Sequence, residues 1–350
     1  MSPPRRGKAA GLVLLLLAML TMLPGPAWAA SELRVLARTA TLSPDLVTRF
    51  ERETGIAVHL TEVADSDGMI RRLSGGASGF DIAFPADHHV AGLIDQGGLE
   101  RIWADRLPGF WNIEDPWRSR SFDPRNEYTI PHQWGTISFA VDSSIHKGDI
   151  DSLSLLFSPP ADLDHRVGVL DDSAMLRLAL IQAGEPRCST DPARLDRAVA
   201  LLRPLLARAR LIPVDQVVAA LQDETLALAV TTSGDAMRAR ETRPTLAFAY
   251  PREGNLVWTD VIAVPRHPPN RANALKFVAF MLRPENAALD TNYNGFATMI
   301  RGAEAHLKPE VLAAPELVAP WPAKVGFLVA CGPDIHRRHD ELWQRIRQPE

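Results

Sequence analysis

The chain has 350 residues and a formal net charge of −4 at pH 7, and 46% of its residues are hydrophobic. A chain of this length can form two lobes, each with its own hydrophobic core. A mildly acidic balance does not favour a nucleic-acid partner, because the phosphate backbone attracts basic proteins. The composition therefore indicates a globular protein that does not bind nucleic acid.

The first 29 residues have the three parts of a secretory signal peptide. Three basic residues precede position 9, residues 11–23 are almost wholly apolar, and Ala27 and Ala29 place small side chains where a signal peptidase cleaves. The apolar run is short for a membrane span. We therefore predict a signal peptide at residues 1–29 and a mature protein that works outside the cytoplasm. An uncleaved N-terminal anchor is the alternative. Cleavage removes three basic and no acidic residues, which lowers the net charge from −4 to −7.

Cys188 and Cys331 are the two cysteines of the chain. They could pair in an oxidising compartment, but their spacing does not show whether their Cα atoms meet, so a disulfide and two buried thiols both stay open. Two thiols without a Cys-x-x-Cys motif do not favour a zinc site. His336 and His339 lie in a charged segment, where we expect solvated side chains. No metal and no cofactor is predicted.

The first third of the chain alternates strand and helix patterns. Apolar alternation predicts strands at 33–36, 56–60 and 80–84. Ser43 is an N-cap for a helix that begins at Pro44 and ends at Gly55, and two further helices are predicted at 66–73 and 90–97. This order of elements predicts a parallel sheet with helices on both faces.

The second part of the chain repeats this alternation with different lengths. Strands are predicted at 167–170, 226–230, 246–250 and 261–264, and helices after Ser173, at 193–209, after a Ser233 cap, and from an Asn270 cap to Leu282, with Pro284 beyond its end. Residues 107–131 and 142–162 are rich in Pro, Asp and Ser and are expected to be surface loops. The pattern indicates two α/β lobes.

Several segments, read in chain order, resemble the bacterial periplasmic polyamine-binding proteins, the spermidine/putrescine-binding family of ABC transporters. The clearest are 43–58 (SPDLVTRFERETGIAV), 80–90 (FDIAFPADHHV), 122–140, 250–260 and 275–286. A single segment carries little weight, but the ordered set extends from about residue 33 to residue 294. The last fifty residues match the family poorly.

The resemblance implies an α/β fold of the type II periplasmic binding class, with two lobes, an interlobe ligand cleft and crossing strands near 136–141 and 258–264. Lobe 1 would consist of residues 31–137 and 260–305, and lobe 2 of residues 138–259 and 306–350. Ligand binding would close the cleft by a hinge motion.

Trp258 and Asp260 have the two chemical characters that bind an alkyl amine. A carboxylate takes the ammonium group, and an aromatic face takes the methylene chain and the cation. Two residues apart on a strand, their side chains face the same side. From the residues alone, a core tryptophan and a loop or capping aspartate are the alternative; the resemblance places both side chains in the cleft.

Three more polar residues fall at ligand-binding positions of the family. Asp172 stands where the family has a ligand-binding acid, and it can also cap the helix that follows. Asp87 and His88 lie in the loop after Pro85, with His88 at a tyrosine-like position.

The chain also departs from the family pattern near the cleft. Thr39 is retained, but Arg38 stands beside it, Thr232 lies where the family has an aromatic cage residue, and Phe296 replaces a tyrosine unless the alignment slips to Tyr293. An arginine in the cleft would repel a diamine and could bind a carboxylate, which suggests a zwitterion such as an ω-amino acid or an acylated polyamine. A solvent-exposed position at the rim is the alternative for Arg38.

The combined features predict a monomeric periplasmic solute-binding protein that binds a polyamine or a related small amine and delivers it to the membrane permease of an ABC importer. It would not be an enzyme. A periplasmic sensor that partners a membrane signalling receptor is the second hypothesis. A secreted hydrolase is the third, and the lack of a Gly-x-Ser-x-Gly motif counts against it.

Overall fold

The computed structural model describes residues 31–74, 77–317 and 331–347, so the predicted signal peptide lies outside the described residues. The described strands are β1 (Glu32–Arg38), β2 (Ala57–Val63), β3 (Ile82–Ala83), β4 (Thr129–Asp142), β5 (Val167–Leu170), β6 (Arg210–Ile212), β7 (Leu228–Thr232), β8 (Leu246–Phe248), β9 (Leu256–Ala263) and β10 (Ala297–Thr298).

The described α-helices are α1 (Pro44–Thr54), α2 (Ser66–Leu73), α3 (Asp87–Asp95), α4 (Ser154–Phe157), α5 (Ala174–Gln182), α6 (Pro192–Leu206), α7 (Val217–Gln222), α8 (Ser233–Thr242), α9 (Arg271–Met281), α10 (Pro284–Asn294), α11 (Pro309–Leu312) and α12 (Pro333–Ile346). One short 3₁₀ turn at 104–106 precedes the predicted loop of residues 107–131, and two more, at 110–112 and 115–117, lie within it. No helix in the described part of the chain is long and apolar enough to cross a membrane.

The strands form one continuous mixed sheet in the order β2-β1-β3-β9-β4-β7-β5-β6, with β8 and β10 also paired to β4. Pairs β1–β2, β1–β3, β5–β6 and β5–β7 are parallel, as the alternating strand and helix pattern predicts. The long strands β4 and β9 run antiparallel to each other and to their outer neighbours. They join the two parallel parts, so the predicted crossing strands are confirmed.

Some of the helix caps predicted from the sequence are confirmed and others are wrong. The Ser43 hydroxyl accepts a hydrogen bond from the Asp45 amide, and Gly55 ends α1 in the left-handed region, at φ 70°. The predicted Ser233 cap is wrong by one residue, because the Thr232 hydroxyl accepts from the Asp235 amide. Asn270 precedes α9, but its side chain donates to Asp81 and does not cap the helix.

Two hydrophobic cores lie on the two parts of the sheet. The first is built from residues between Leu33 and Trp134 and between Val261 and Ala303. The second takes residues between Phe139 and Leu256, together with Trp343 of α12. Each of β4 and β9 changes from one core to the other along its length. The lobe boundaries drawn from the sequence stay a prediction.

Helix α12 is held against the second core by a set of specific contacts. Cys188 and Cys331 form a disulfide just before the helix begins, with Cα atoms 5.5 Å apart. Trp343 is buried and donates to the Asp171 carboxylate at 3.0 Å. The His339 ring is buried and donates from Nε2 to the Ser189 carbonyl at 2.8 Å. The expectation of a solvated His339 is therefore wrong, since a backbone carbonyl takes the place of water.

A second buried polar pair lies between β4 and α10. The Nε2 atom of His132 and the Oδ2 atom of Asp290 are 3.4 Å apart, and both side chains are almost fully buried. Burial raises the pKa of Asp290 to about 8. Burial, with a smaller effect of the Arg38 charge, lowers the pKa of His132 to about 3. Both groups are therefore mainly neutral at pH 7, which avoids two charges in the core.

Removal of the disulfide should destabilise the folded chain. A bridge that closes a 143-residue separation restricts the unfolded chain strongly. We expect the Cys188→Ala, Cys331→Ala double variant to lose about 2–5 kcal/mol of the free energy of unfolding. Urea denaturation of mature protein measures this loss. Two reactive thiols in the unreduced, denatured wild type would contradict the pairing.

Asp290 should make stability fall as the pH rises. Between about pH 4 and pH 8 the folded protein keeps the Asp290 proton while the unfolded chain releases it, so the contribution of Asp290 to the free energy of unfolding decreases by about 1.4 kcal/mol per pH unit. His132 acts in the opposite sense, because folded His132 stays neutral while the unfolded ring takes up a proton below about pH 6.5. Asp290→Asn retains the carbonyl that accepts from the Ser43 amide and removes the titration.

Comparison of Asp290→Asn with wild type isolates the contribution of Asp290 to the pH dependence of stability. The stability of Asp290→Asn relative to wild type should increase from pH 4 to pH 8, as measured by urea denaturation across that range. The exposed Asp196→Asn substitution on α6 is a matched control and should show no such trend. A pH-independent difference between Asp290→Asn and wild type would rule out a raised Asp290 pKa.

Candidate functional site

A cleft of about 550 Å³ lies where β4 and β9 pass from one core to the other. All nine residues predicted from the sequence line it: Arg38, Thr39, Asp87, His88, Asp172, Thr232, Trp258, Asp260 and Phe296. The structure therefore brings together groups that are up to 258 positions apart in the sequence. That they contact a ligand stays a prediction.

Trp258 and Asp260 lie two residues apart on β9, and both face the cleft, as strand geometry predicts. Trp258 lies opposite Gly135 of β4 in the sheet register. A Cβ atom at Gly135 would come 2.7 Å from Cζ2 of Trp258, so the glycine lets the indole lie against the strand. The Phe296 ring meets the indole edge-on, with centroids 4.7 Å apart. These contacts fix the orientation of the indole.

Arg38, at the end of β1, points into the cleft and forms an ion pair with Asp260 through Nη2 and Oδ2. Its guanidinium carbon lies 5.4 Å from the centroid of the Trp258 ring. Because its guanidinium pairs with the buried Asp260 carboxylate, Arg38 lies within the cleft, and the alternative of a solvent-exposed rim residue is wrong. The Arg38 guanidinium thus occupies the position where the Asp260 carboxylate and the Trp258 indole attract a cation.

Asp260 is 3% exposed. Burial raises the pKa of this carboxyl, and the charge and hydrogen bond of Arg38 act against that shift. Asp260 Oδ1 and Trp258 Nε1 are buried and have no hydrogen-bond partner among the described residues. Buried polar atoms in folded proteins are usually paired. Two unpaired atoms at one place in a cleft are therefore typical of a site that binds a polar ligand.

Asp87 and His88 begin α3, where the sequence analysis expected a loop. Burial raises the pKa of Asp87 to about 7, and a backbone hydrogen bond and nearby positive charges only partly oppose it. The His88 ring stacks on the His336 ring of α12 at 4.1 Å. Arg177 donates to Nδ1 of His336 at 2.9 Å. Burial and neighbouring positive charges lower the pKa of His336, so the ring is neutral and can accept this bond.

Asp172 serves as a cap, as the sequence analysis allowed. Its Oδ1 atom accepts from the Ala174 amide at 2.6 Å at the start of α5. The same oxygen lies 3.8 Å from Nη2 of Arg177, and the side chain is partly exposed to the cleft. Arg187 also lines the cleft, and burial together with the charge of Arg177 lowers its pKa. Two arginines thus place positive charge at this end of the cleft.

The remaining predicted residues are mostly held by local bonds. Thr232 donates to the Asp235 carboxylate at 2.6 Å, and the Thr39 hydroxyl donates to the Val63 carbonyl at 3.4 Å. Phe296 lines the cleft, whereas Tyr293 is 42% exposed and is not among the described lining residues. The structure thus places Phe296, and not Tyr293, at the cleft.

Sequence reasoning missed the amide pair at the floor of the cleft. Gln133 and Asn294 exchange two side-chain hydrogen bonds, at 2.9 and 3.0 Å, and both are buried. It also missed the arginines at positions 177, 187 and 238, and its expectation of a solvated His336 is wrong, because that ring stacks on His88 in the cleft. None of these has a local signal, because an arginine or an amide in a sequence is far more often solvated.

The charges that line the cleft largely neutralise one another. The described lining contains five aspartates, at positions 87, 172, 215, 235 and 260, and four arginines, at positions 38, 177, 187 and 238. Three of the carboxylates lie within ion-pair distance of a lining arginine.

Among residues 31–74, 77–317 and 331–347, no group of three or more His, Cys, Asp or Glu side chains could hold a metal ion.

Known proteins share this sequence pattern and fold. The sequence profile of the bacterial extracellular solute-binding protein family matches residues 45–319. A spermidine/putrescine-binding periplasmic protein of Salmonella typhimurium is 28% identical over 276 residues, which cover 78% of this chain and 79% of that protein. A putrescine/agmatine-binding protein of Pseudomonas aeruginosa is 26% identical over 73% of this chain and 74% of its own length.

Solved structures agree with the sequence comparison. A putative spermidine/putrescine ABC transporter protein from Listeria monocytogenes superimposes with a TM-score of 0.82 at 25% identity, over 91% of this chain and 99% of that chain. A spermidine/putrescine transporter substrate-binding protein from Streptococcus pneumoniae gives a TM-score of 0.76 at 24% identity, over 91% and 100%. The predicted two-lobe, type II periplasmic binding fold is confirmed. The chain belongs to the bacterial extracellular solute-binding protein family, and it is a binding protein and not an enzyme.

Proposed function

We propose that this protein is the periplasmic binding component of an ABC importer and that its cleft binds a small amine, either a polyamine or a related compound. The observation that carries the proposal is the buried Asp260 carboxylate beside the face of Trp258, with one carboxylate oxygen free to accept a hydrogen bond. The names of the relatives, which include spermidine, putrescine and agmatine as ligands, support the same class.

Asp260 and Trp258 would bind the amine in complementary ways. The ammonium group donates to the carboxylate, and a charge-assisted hydrogen bond of this kind is about twice as strong as a neutral one. The face of the indole attracts the cation and covers the adjoining methylene groups. Because Asp260 is buried, its charge requires a cation nearby, and an ammonium ion meets that requirement.

Closure of the cleft would couple ligand binding to transport. Strands β4 and β9 connect the two cores, so small changes in their backbone angles would move one core toward the other. A ligand that contacts residues of both cores shifts the population toward the closed state. The membrane permease would recognise that closed state and take up the ligand. Export by the predicted signal peptide would place the monomer in the periplasm, and binding would need no cofactor.

Loss of the Asp260 charge should weaken amine binding. A thermal-shift screen of mature protein against putrescine, spermidine, agmatine and 4-aminobutyrate identifies a ligand, since a concentration of 100 Kd adds about 2.7 kcal/mol of stability. Calorimetry then compares wild type with Asp260→Asn. The lost charge-assisted bond should raise Kd by about 10- to 100-fold.

The exposed Asp196→Asn substitution is the matched control for this experiment and should leave Kd unchanged. The proposal would be wrong if no amine shifted the melting temperature, or if Asp260→Asn bound the amine as tightly as wild type does.

A further inference from the structure

Arg38 occupies the place where the amine of a ligand would bind. Its guanidinium forms the ion pair with Asp260 and lies 5.4 Å from the centroid of Trp258. A ligand that uses Asp260 and Trp258 must therefore move this side chain first. The inference that follows rests on the proposed function, because it concerns the same amine site.

Three buried polar atoms at this place are left without a partner among the described residues: Arg38 Nε, Trp258 Nε1 and Asp260 Oδ1. Two of them are donors and one is an acceptor. An ammonium group donates only, so it can satisfy Asp260 but neither Trp258 nor Arg38. A ligand that satisfies all three atoms must therefore provide an acceptor as well as a donor.

The charge of the cleft leads to the same requirement. A simple diamine brings two positive charges, but the Asp260 carboxylate is already neutralised by Arg38, and those of Asp172 and Asp235 lie beside Arg177 and Arg238. At any of these three carboxylates an ammonium group would have to displace an arginine, and the displaced arginine would be left as an unpaired cation. An uncompensated charge in a partly buried site is costly.

We propose that the ligand carries both an ammonium group and an oxygen acceptor, and that it binds by exchange with the Arg38–Asp260 pair. The ammonium group replaces Arg38 at Asp260. The ligand oxygen, from a carboxylate or an amide carbonyl, then accepts from Arg38 and from the Trp258 ring nitrogen. One ion pair within the protein is converted into two contacts with the ligand, and no arginine is left without a partner.

Arg38 is placed well for such an exchange. It is the last residue of β1, and its side chain is 27% exposed, so it can change rotamer without disturbing the core. An arginine also suits the acceptor, because its guanidinium donates two parallel hydrogen bonds to a carboxylate. Arg38 would thus be a residue that sets ligand specificity.

Four probes with similar carbon chains test this proposal: 4-aminobutyrate, N-acetylputrescine, putrescine and butylamine. Their affinities are measured by calorimetry on the mature protein at pH 8, for wild type and for Arg38→Met. Wild type should bind 4-aminobutyrate or N-acetylputrescine at least tenfold more tightly than putrescine or butylamine. Preference for 4-aminobutyrate identifies a carboxylate as the acceptor, and preference for N-acetylputrescine identifies a carbonyl.

Arg38→Met should reverse the order of the affinities for the four probes. It removes the guanidinium and keeps an unbranched side chain, so the preferred probe should bind at least tenfold more weakly and putrescine more tightly. Arg38→Lys retains the charge and should restore part of the affinity for the preferred probe. Arg34→Met is the matched control, because Arg34 lies on the same strand, is 47% exposed and is outside the cleft, and it should change nothing.

The outcomes separate this inference from the proposed function. If wild type prefers putrescine and Arg38→Met leaves that order unchanged, the exchange is wrong while amine binding stands. If neither wild type nor Arg38→Met binds any amine, both proposals fail. Unfolding curves show whether each variant is folded, and if Arg38→Met is unfolded, the wild-type ranking and Arg38→Lys still decide the question.

Discussion

The structure depends on two strands that belong to both cores. Strand β4 pairs with β9 and β10 over its first half and with β7 and β8 over its second half, so its 14 residues hold the two parts of the sheet in one register. Strand β9 accompanies it and carries Trp258 and Asp260. The cleft follows from this arrangement, because side chains on the shared strands face the space between the cores.

A buried carboxylate on such a strand needs a positive partner. Asp260 is almost completely shielded from water, and an unpaired charge there would be strongly unfavourable. Arg38 supplies the partner, and the cation–π contact with Trp258 adds to the attraction. The protein therefore satisfies the same physical demand with its own side chain that a ligand ammonium group would satisfy. In the proposed exchange the ligand competes with Arg38 for Asp260, and the chemistry of Arg38 then contributes to specificity.

The sequence predicted those features that depend on local periodicity or on an ordered set of segments. The family resemblance implied a crossing strand that includes Trp258 and Asp260, strand geometry placed the two side chains on one side of it, and the resemblance placed all nine candidate residues near the cleft. Local signals failed in two places. Thr232 and Ser233 both carry a hydroxyl, and the helix cap was assigned to the wrong one of the two. Pro284 was predicted to lie beyond a helix end, but it also begins the next helix, α10.

Long-range partners could not be predicted in the same way. The rotamer of Arg38 is set by Asp260, which lies 222 positions away, and the pairing of Cys188 with Cys331 depends on where α12 lies. Burial of His339 depends on one carbonyl group, that of Ser189. These features belong to the tertiary structure, and no local pattern of residue types encodes them.

Fold and specificity are carried by different residues in this protein. The apolar side chains of the two cores and the register of β4 and β9 determine where the cleft lies. Arg38 is at the end of a strand and Thr39 follows it, outside both cores. A change at such a position alters the charge of the cleft with little effect on packing. A chain that is 28% identical to a spermidine/putrescine-binding protein thus keeps the family fold while an arginine lies at the proposed amine site. The family match identifies the protein as a solute-binding protein, and in the proposed exchange the charge at the end of β1 selects the ligand.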